Sequence, residues 1–379
     1  MIEIDCEFPG GNVVVGGIED DTVRVRPDLR DTEGHWFYWY FRVRGAEGRT
    51  LRFEFEDDDV GVRGPGLSLD GGRTWEWLGA EAGDERGFAY SFPEDTREVR
   101  FSLGMPYTQA NLEEFLGARV GNPHLRVGTL CQSRKGRAVE SLSFGKVEGE
   151  PEHRVLLTAR HHACEMMASY VLEGIDEGVL ADDDVGRWLR DRVEFFAAPF
   201  ADKDGVEDGD QGKSRRPHDH NRDYRAPCLY PEVRALREWA QQWSGGKLRM
   251  ALDLHCPGHR GKWHELIHFV GVPAEDTWSR TESFCEALER VATGPLPYRK
   301  GNNLLFGVEW NTAEEYGPLG GEPRDASDWL STLPGVWFGA TVEVPYANAQ
   351  GAEVNAETAR AFGRDLASAV RQHLETQGG

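Results

Sequence analysis

Up to about residue 103 the chain alternates apolar and polar positions with a period of two. Thr22-Val23-Arg24-Val25-Arg26, the run from Trp36 to Val43, Thr50-Leu51-Arg52-Phe53-Glu54-Phe55 and Glu98-Val99-Arg100-Phe101-Ser102-Leu103 all follow it. Successive side chains of a strand point to opposite faces, so this pattern predicts antiparallel strands with one wet face, a small all-β sandwich spanning residues 1–103. From Pro106-Tyr107 the pattern changes. Apolar runs of strand length at 154–158 and 193–199 alternate with stretches of helical spacing at 111–116, 166–177, 230–242, 274–292 and 356–374. Alternation of this kind predicts an α/β domain over 104–379, a mixed sheet buried between layers of helices.

Composition narrows what such a protein does. At 379 residues the chain exceeds the usual size of a single core, which agrees with a two-domain reading. The N-terminus Met1-Ile2-Glu3-Ile4-Asp5-Cys6 has neither the basic start nor the apolar run of a secretion signal. No stretch approaches the roughly 18 apolar residues of a membrane span. The six cysteines are scattered singly, which fits reduced thiols, and a cytoplasmic setting is expected. The formal charge of −22 opposes nonspecific binding to nucleic acid or to an anionic membrane, so neither is an expected partner. Oligomeric state cannot be read from the sequence.

Candidate chemistry gathers where strands end. Arg154-Val155-Leu156-Leu157-Thr158-Ala159-Arg160 reads as a buried strand running directly into His161-His162-Ala163-Cys164-Glu165. A histidine and a glutamate thus stand beyond the carboxyl end of a strand, where open α/β sheets collect ligands. In a chain with 12 histidines one H-x-x-E match arises readily by chance, so the motif needs company. Two further strand patterns supply it: Arg249-Met250-Ala251-Leu252-Asp253-Leu254 delivers His255, and Gly339-Ala340-Thr341-Val342 delivers Glu343. Zinc in His₂Glu ligation keeps one position open for water, and a further carboxylate can take that water's proton. Glu343 is the candidate base.

These segments resemble the carboxypeptidase A-type zinc peptidases, especially the cytosolic carboxypeptidase branch, in which a small β-sandwich precedes the catalytic domain. Leu157 to Glu165 matches the H-x-x-E element, and Leu252-Asp253-Leu254-His255 the segment of the third ligand. Asp204-Gly205-Val206 and Asp219-His220-Asn221-Arg222 match the DGV and D-x-N-R elements, and Thr341-Val342-Glu343 the segment of the catalytic glutamate. The resemblance implies one zinc ion held by His162, Glu165 and His255, with a peptide or protein C-terminus as substrate. It implies that Asn221 and Arg222 grip the terminal carboxylate, a task suited to the planar guanidinium fork, and that Asp219 orients a zinc-binding histidine. Tyr316 corresponds to a mobile substrate-binding tyrosine, an ordinary packed tyrosine being the alternative.

The sequence departs from the family where an arginine polarises the scissile carbonyl. That position is Gly212, and the basic run Lys213, Arg215, Arg216 follows it. Lys213 is expected to replace the arginine, with Arg215 beside it at the substrate, and a solvated basic loop is the alternative. Cys164 and Cys256 adjoin expected metal ligands and read as packed small residues. His161 and His220 are expected in supporting or packing roles.

Two motifs pull elsewhere. Ser68-Leu69-Asp70-Gly71-Gly72-Arg73-Thr74-Trp75 resembles the Asp-box hairpin of sialidases, but a single copy reads best as a stable turn. His264-Glu265-Leu266-Ile267-His268 matches H-E-x-x-H, a zinc motif when it lies on a helix. Gly258 and Gly261 precede it, and residues 267–273 read as a strand, which argues against that helix. Hydrolysis of a C-terminal peptide bond is the expected activity. An N-acyl amino-acid amidohydrolase of the aspartoacylase and desuccinylase type, and a weakened zinc-containing peptide-binding module, are the alternatives.

Overall fold

The computed structural model describes residues 1–316 and 322–377. The first hundred residues form two five-stranded sheets, one containing Tyr40–Arg44 and Glu98–Ser102, the other Thr22–Arg26, Thr50–Phe55 and Gly87–Ser91. Their inner faces meet through aromatic side chains. Phe53 of one sheet lies 5.3 Å, ring centre to ring centre, from both Phe41 and Phe101 of the other. Such contacts bury large apolar areas in tilted geometries that aromatic quadrupoles favour. The strands are antiparallel with one exception, since Thr22–Arg26 runs parallel to Thr50–Phe55. The strand expected from Trp36 starts only at Tyr40, because the backbone of Tyr38 is engaged by the side chain of Gln211 in the other half. In the Ser68–Trp75 turn, the Asp70 carboxylate accepts from the Thr74 hydroxyl at 2.7 Å and from the Arg73 N–H at 3.0 Å. That self-contained hydrogen bonding is what a stable turn needs.

The second half is a seven-stranded mixed sheet in the order Leu125–Gln132, Ala138–Gly145, Val193–Ala198, His153–Ala159, Leu248–His255, Phe338–Glu343, His268–Phe269. Strands His153–Ala159, Leu248–His255 and Phe338–Glu343 are parallel neighbours, and their carboxyl ends fall together. Alternation splits their side chains between two helix layers. Val155, Leu157 and Leu252 join the core under helices Met167–Leu180 and Ala356–Gln377, whereas Leu156 and Ala251 join the core under Pro231–Ser244 and Ala326–Leu330. Strands buried on both faces lose the polar alternation of a half-exposed sheet. The hairpin Leu125–Gln132 with Ala138–Gly145 and the helix Asp184–Arg192 were not legible in the pattern. The former's outer strand is mostly exposed and carries Gly128, and the latter relies on a cap, the Asp183 carboxylate accepting from Gly186.

The same buried cluster runs from the sandwich into the sheet. Among the described residues no helix is long and apolar enough to cross a membrane.

Candidate metal centre and cleft

Strand Leu248–His255 ends beside strand Phe338–Glu343 with His255 and Glu343 as register partners. On the other side, strand His153–Ala159 leads into a turn whose first residue, Arg160, has a positive φ of 62°. This reversal turns the chain back over the sheet end. The buried Arg160 guanidinium secures it by donating to the carbonyls of Ala163 and Tyr107 and to the Ser169 hydroxyl.

His162, Glu165 and His255 converge there. Each offers a ligand atom within 4.8 Å of the other two. Glu165 Oε1 lies 2.9 Å from His162 Nδ1, and Oε2 lies 2.7 Å from His255 Nδ1. The two imidazoles point Nδ1 toward each other at 3.2 Å. Two nitrogens and a carboxylate aimed at a common point fit a His₂Glu zinc site.

His255 is also held from behind. Its Nε2 meets Asp253 Oδ2 at 2.8 Å, while Asp253 Oδ1 engages His161 Nδ1 and the Thr158 hydroxyl at 2.7 Å each. His161 Nε2 continues the chain to the Tyr224 hydroxyl at 2.7 Å. All of this is buried. Asp253 was not singled out from the sequence, although a signal existed: two positions before His255 in a strand places both on one face. Asp219, expected in that supporting role, stands 3.9 Å from His162 Nε2, and its oxygens cap the turn His220–Arg222 and accept from the Ser214 N–H.

The convergence opens into a cavity of about 330 Å³ lined by Glu343, Lys213, Asn221 and Arg222, among others. Glu343 Oε2 is buried and meets no hydrogen-bond partner among the described residues. Burial, reinforced by the Glu165 charge, raises its pKa to about 7 against the pull of His255 and Lys213. Lys213 Nζ lies 2.7 Å from Glu165 Oε1 and 4.8 Å from the centre of the Trp36 ring. Burial alone would depress its pKa, but the Glu165 carboxylate outweighs that and keeps the ammonium charged. Glycine at 212 has a physical reason. Its φ is +75°, and a Cβ there would sit 2.2 Å from the Ala163 nitrogen in the metal-binding turn, so an arginine cannot occupy the position without moving that turn.

Asn221 lines the cavity while its Oδ1 accepts from the Ala326 N–H at 3.0 Å. Arg215, expected at the substrate, is not among the residues that line this cavity. Its guanidinium is spent on Asp31, Asp202 and Asp210 at 3.0, 2.6 and 2.8 Å. The side chain of Tyr316 lies outside the described residues. Sequence reasoning missed Trp36 and Phe37, which wall the cavity from the N-terminal half, and Arg324, a lining residue that pairs through two nitrogens with Asp328. Cys164 and Cys256 are buried, Cys164 Sγ lying 3.6 Å from the Tyr346 hydroxyl.

The H-E-x-x-H stretch does not form a helix. Lys262–Glu265 is a 3₁₀ turn and His268–Phe269 a short strand. His264 Nδ1 faces the Arg260 carbonyl and Glu265 accepts from Asn348 at 2.6 Å.

Residues 118–247 match the family model described as zinc carboxypeptidase. Over that span the chain resembles a zinc carboxypeptidase domain. Around that domain it is 24% identical over 272 residues to cytosolic carboxypeptidase 2 of Xenopus tropicalis, a match covering 60% of this chain and 28% of that protein. The chain therefore corresponds to under a third of that relative's length. Among solved structures, the metallo-carboxypeptidase of Burkholderia cenocepacia superposes with a TM-score of 0.81 at 23% identity over 100% of both chains. That of Pseudomonas aeruginosa, solved with (2-guanidinoethylmercapto)succinic acid, gives 0.77 at 20% identity over 99% of each. These likenesses extend the carboxypeptidase fold to the whole chain, N-terminal sheets included.

Proposed function

We propose that this protein is a zinc-dependent hydrolase that removes C-terminal residues from peptides, using one zinc ion per chain held by His162, Glu165 and His255. The observation that carries the reading is the convergence of those three donors beside Glu343, a buried carboxylate with one oxygen left without a partner. The names of the cytosolic carboxypeptidases favour a cytoplasmic setting. Residues 1–103 and 104–379 are read as sandwich and catalytic domains.

Zinc bound there supplies Lewis acidity. Glu343, whose free oxygen faces the cavity side of the three donors, takes a proton from the attacking water and passes it to the leaving amine. Arg222 with Asn221 anchors the substrate's free carboxylate, and Lys213 faces the negative charge that builds on the scissile oxygen. The site belongs to a cleft deep enough to exclude much of the solvent, which strengthens each of these charges.

The Glu343→Gln variant tests the assignment. It is expected to keep one zinc per chain while turnover falls by roughly 10²- to 10⁴-fold; near-normal turnover would remove Glu343 from the mechanism. Peptides with free C-termini, their C-terminal amides and N-acyl amino acids form the assay panel. Cleavage confined to free C-termini supports the proposal, cleavage confined to N-acyl amino acids replaces it with an amidohydrolase, and zinc-dependent binding without cleavage replaces it with a peptide-binding module.

A further inference from the structure

The loop that carries Lys213 is held in place by the opposite half of the molecule. Asp31 lies in the irregular stretch between strands Thr22–Arg26 and Tyr40–Arg44, its side chain 10% exposed. One carboxylate oxygen accepts the Gln211 N–H at 3.0 Å, and the other accepts the Gly212 N–H at 2.8 Å and Arg215 Nε at 3.0 Å. Two residues further on, the Glu33 N–H donates to the Ser214 carbonyl at 3.1 Å. The residues on either side of Lys213 are thus both tied to the segment 31–33. Trp36 then lies against the ammonium, and the Tyr38 backbone exchanges two hydrogen bonds with the buried Gln211 side chain, at 2.9 and 2.8 Å. The far side of the loop rests on the metal-binding turn, where the Cys164 N–H donates to the Gln211 carbonyl at 3.2 Å and Gly212 abuts Ala163.

Lysine needs such a clamp more than arginine does. Its ammonium is a point charge on a flexible four-carbon stem, whereas the guanidinium fork is preorganised. A charge that must meet a developing oxyanion loses its effect when displaced by about an ångström.

We propose that Asp31 is a positioning residue for the reaction: by gripping the Gln211 and Gly212 N–H groups it presses the Lys213 loop against the metal-binding turn, which makes the N-terminal half a working part of the site. This rests on the reading of Lys213 as the group that faces the scissile oxygen.

A double-mutant cycle on the zinc-loaded full chain, assayed with N-blocked tripeptides bearing free C-termini, tests it. Lys213→Ala should lower kcat/KM by roughly 100-fold. Asp31→Ala should lower kcat by about tenfold or more, with KM and zinc content little changed. The double variant should match Lys213→Ala alone, because Asp31 acts through that lysine. Two readouts are independent of turnover. In Asp31→Ala the Gln211 and Gly212 amides should exchange with solvent faster, and Lys213 should become open to an amine-acylating reagent. If Asp31→Ala does not fold, Asp31→Asn, which keeps one acceptor oxygen, should show an intermediate loss with the same non-additivity. Multiplying costs, or an unchanged kcat in the Asp31 variants, overturn the proposal while leaving Lys213 in place. Full activity in Lys213→Ala overturns the electrophile reading itself, and the catalytic meaning of Asp31 with it.

Discussion

His162, Glu165 and His255 come from two segments some ninety residues apart and meet around one point, whereas His264, Glu265 and His268, contiguous and correctly spaced for a helical zinc motif, do not. The difference lies in the backbone beneath them. The first set sits at the carboxyl ends of adjacent parallel strands, so registry fixes its separation before any ion arrives. The second spans a 3₁₀ turn and a two-residue strand, so no helical period brings its two histidines onto one face. Among the described residues the metal-competent groups are His162, Glu165 and His255, and the overlapping His161, Asp253 and His255; His264 and His268 belong to neither. Spacing in sequence therefore identifies a metal site only where the fold supplies the matching period.

His162→Ala and His255→Ala should abolish stoichiometric zinc, and turnover with it, whereas His268→Ala should retain one zinc per chain. Metal analysis after exhaustive dialysis decides this. Zinc lost from His268→Ala but kept in His255→Ala would reverse the assignment of the two regions.

His255 has a carboxylate behind its distal nitrogen, and His264 has a backbone carbonyl against its Nδ1. Carboxylates in that position fix the tautomer and raise ligand basicity, typically at 10- to 100-fold in metal affinity. Asp253→Asn should therefore weaken zinc binding by roughly that factor, measured by competition with a chromophoric chelator. An unchanged affinity would mean that Asp253 serves only the Thr158 and His161 contacts.

How much of this was readable depended on whether the signal was local. The candidates His162, Glu165, His255 and Glu343 could be picked out because each ends an apolar strand run or lies in the turn just beyond one, and the parallel register that joins those ends follows from the α/β pattern. What escaped were partners far off in sequence. Asp31 and Gln211 look like ordinary loop residues, and Trp36 like the start of a strand, until two halves of the chain are packed together, and no periodicity records that contact. The setting of Arg215 escaped for the same reason, since a guanidinium two residues from Lys213 in sequence is drawn to the carboxylates of Asp31, Asp202 and Asp210. The strand expected from Trp36 was shortened by its bonds to the other half rather than by any local breaker.

The gentlest test of the contrast concerns what His268 does instead of binding metal. It is fully buried, its Nδ1 faces the Leu266 carbonyl at 3.1 Å, and its Nε2 meets no partner among the described residues. Burial pushes its pKa down to about 4, with the Leu266 carbonyl opposing and His264 adding to the fall. A histidine depressed in this way is neutral in the folded and unfolded chain above pH ~6.5, the ordinary value. As pH falls from there toward about 4, the unfolded chain takes up a proton that the folded chain refuses, so stability drains away on acidification by up to about 3 kcal/mol. His268→Gln should remove that part of the slope: the stability difference between variant and wild type should shift in the variant's favour between pH 7 and pH 4.5, read from urea denaturation at each pH. A difference that stays constant across the window would mean that His268 finds a proton acceptor in the folded chain, and the H-E-x-x-H stretch would regain its claim to chemistry.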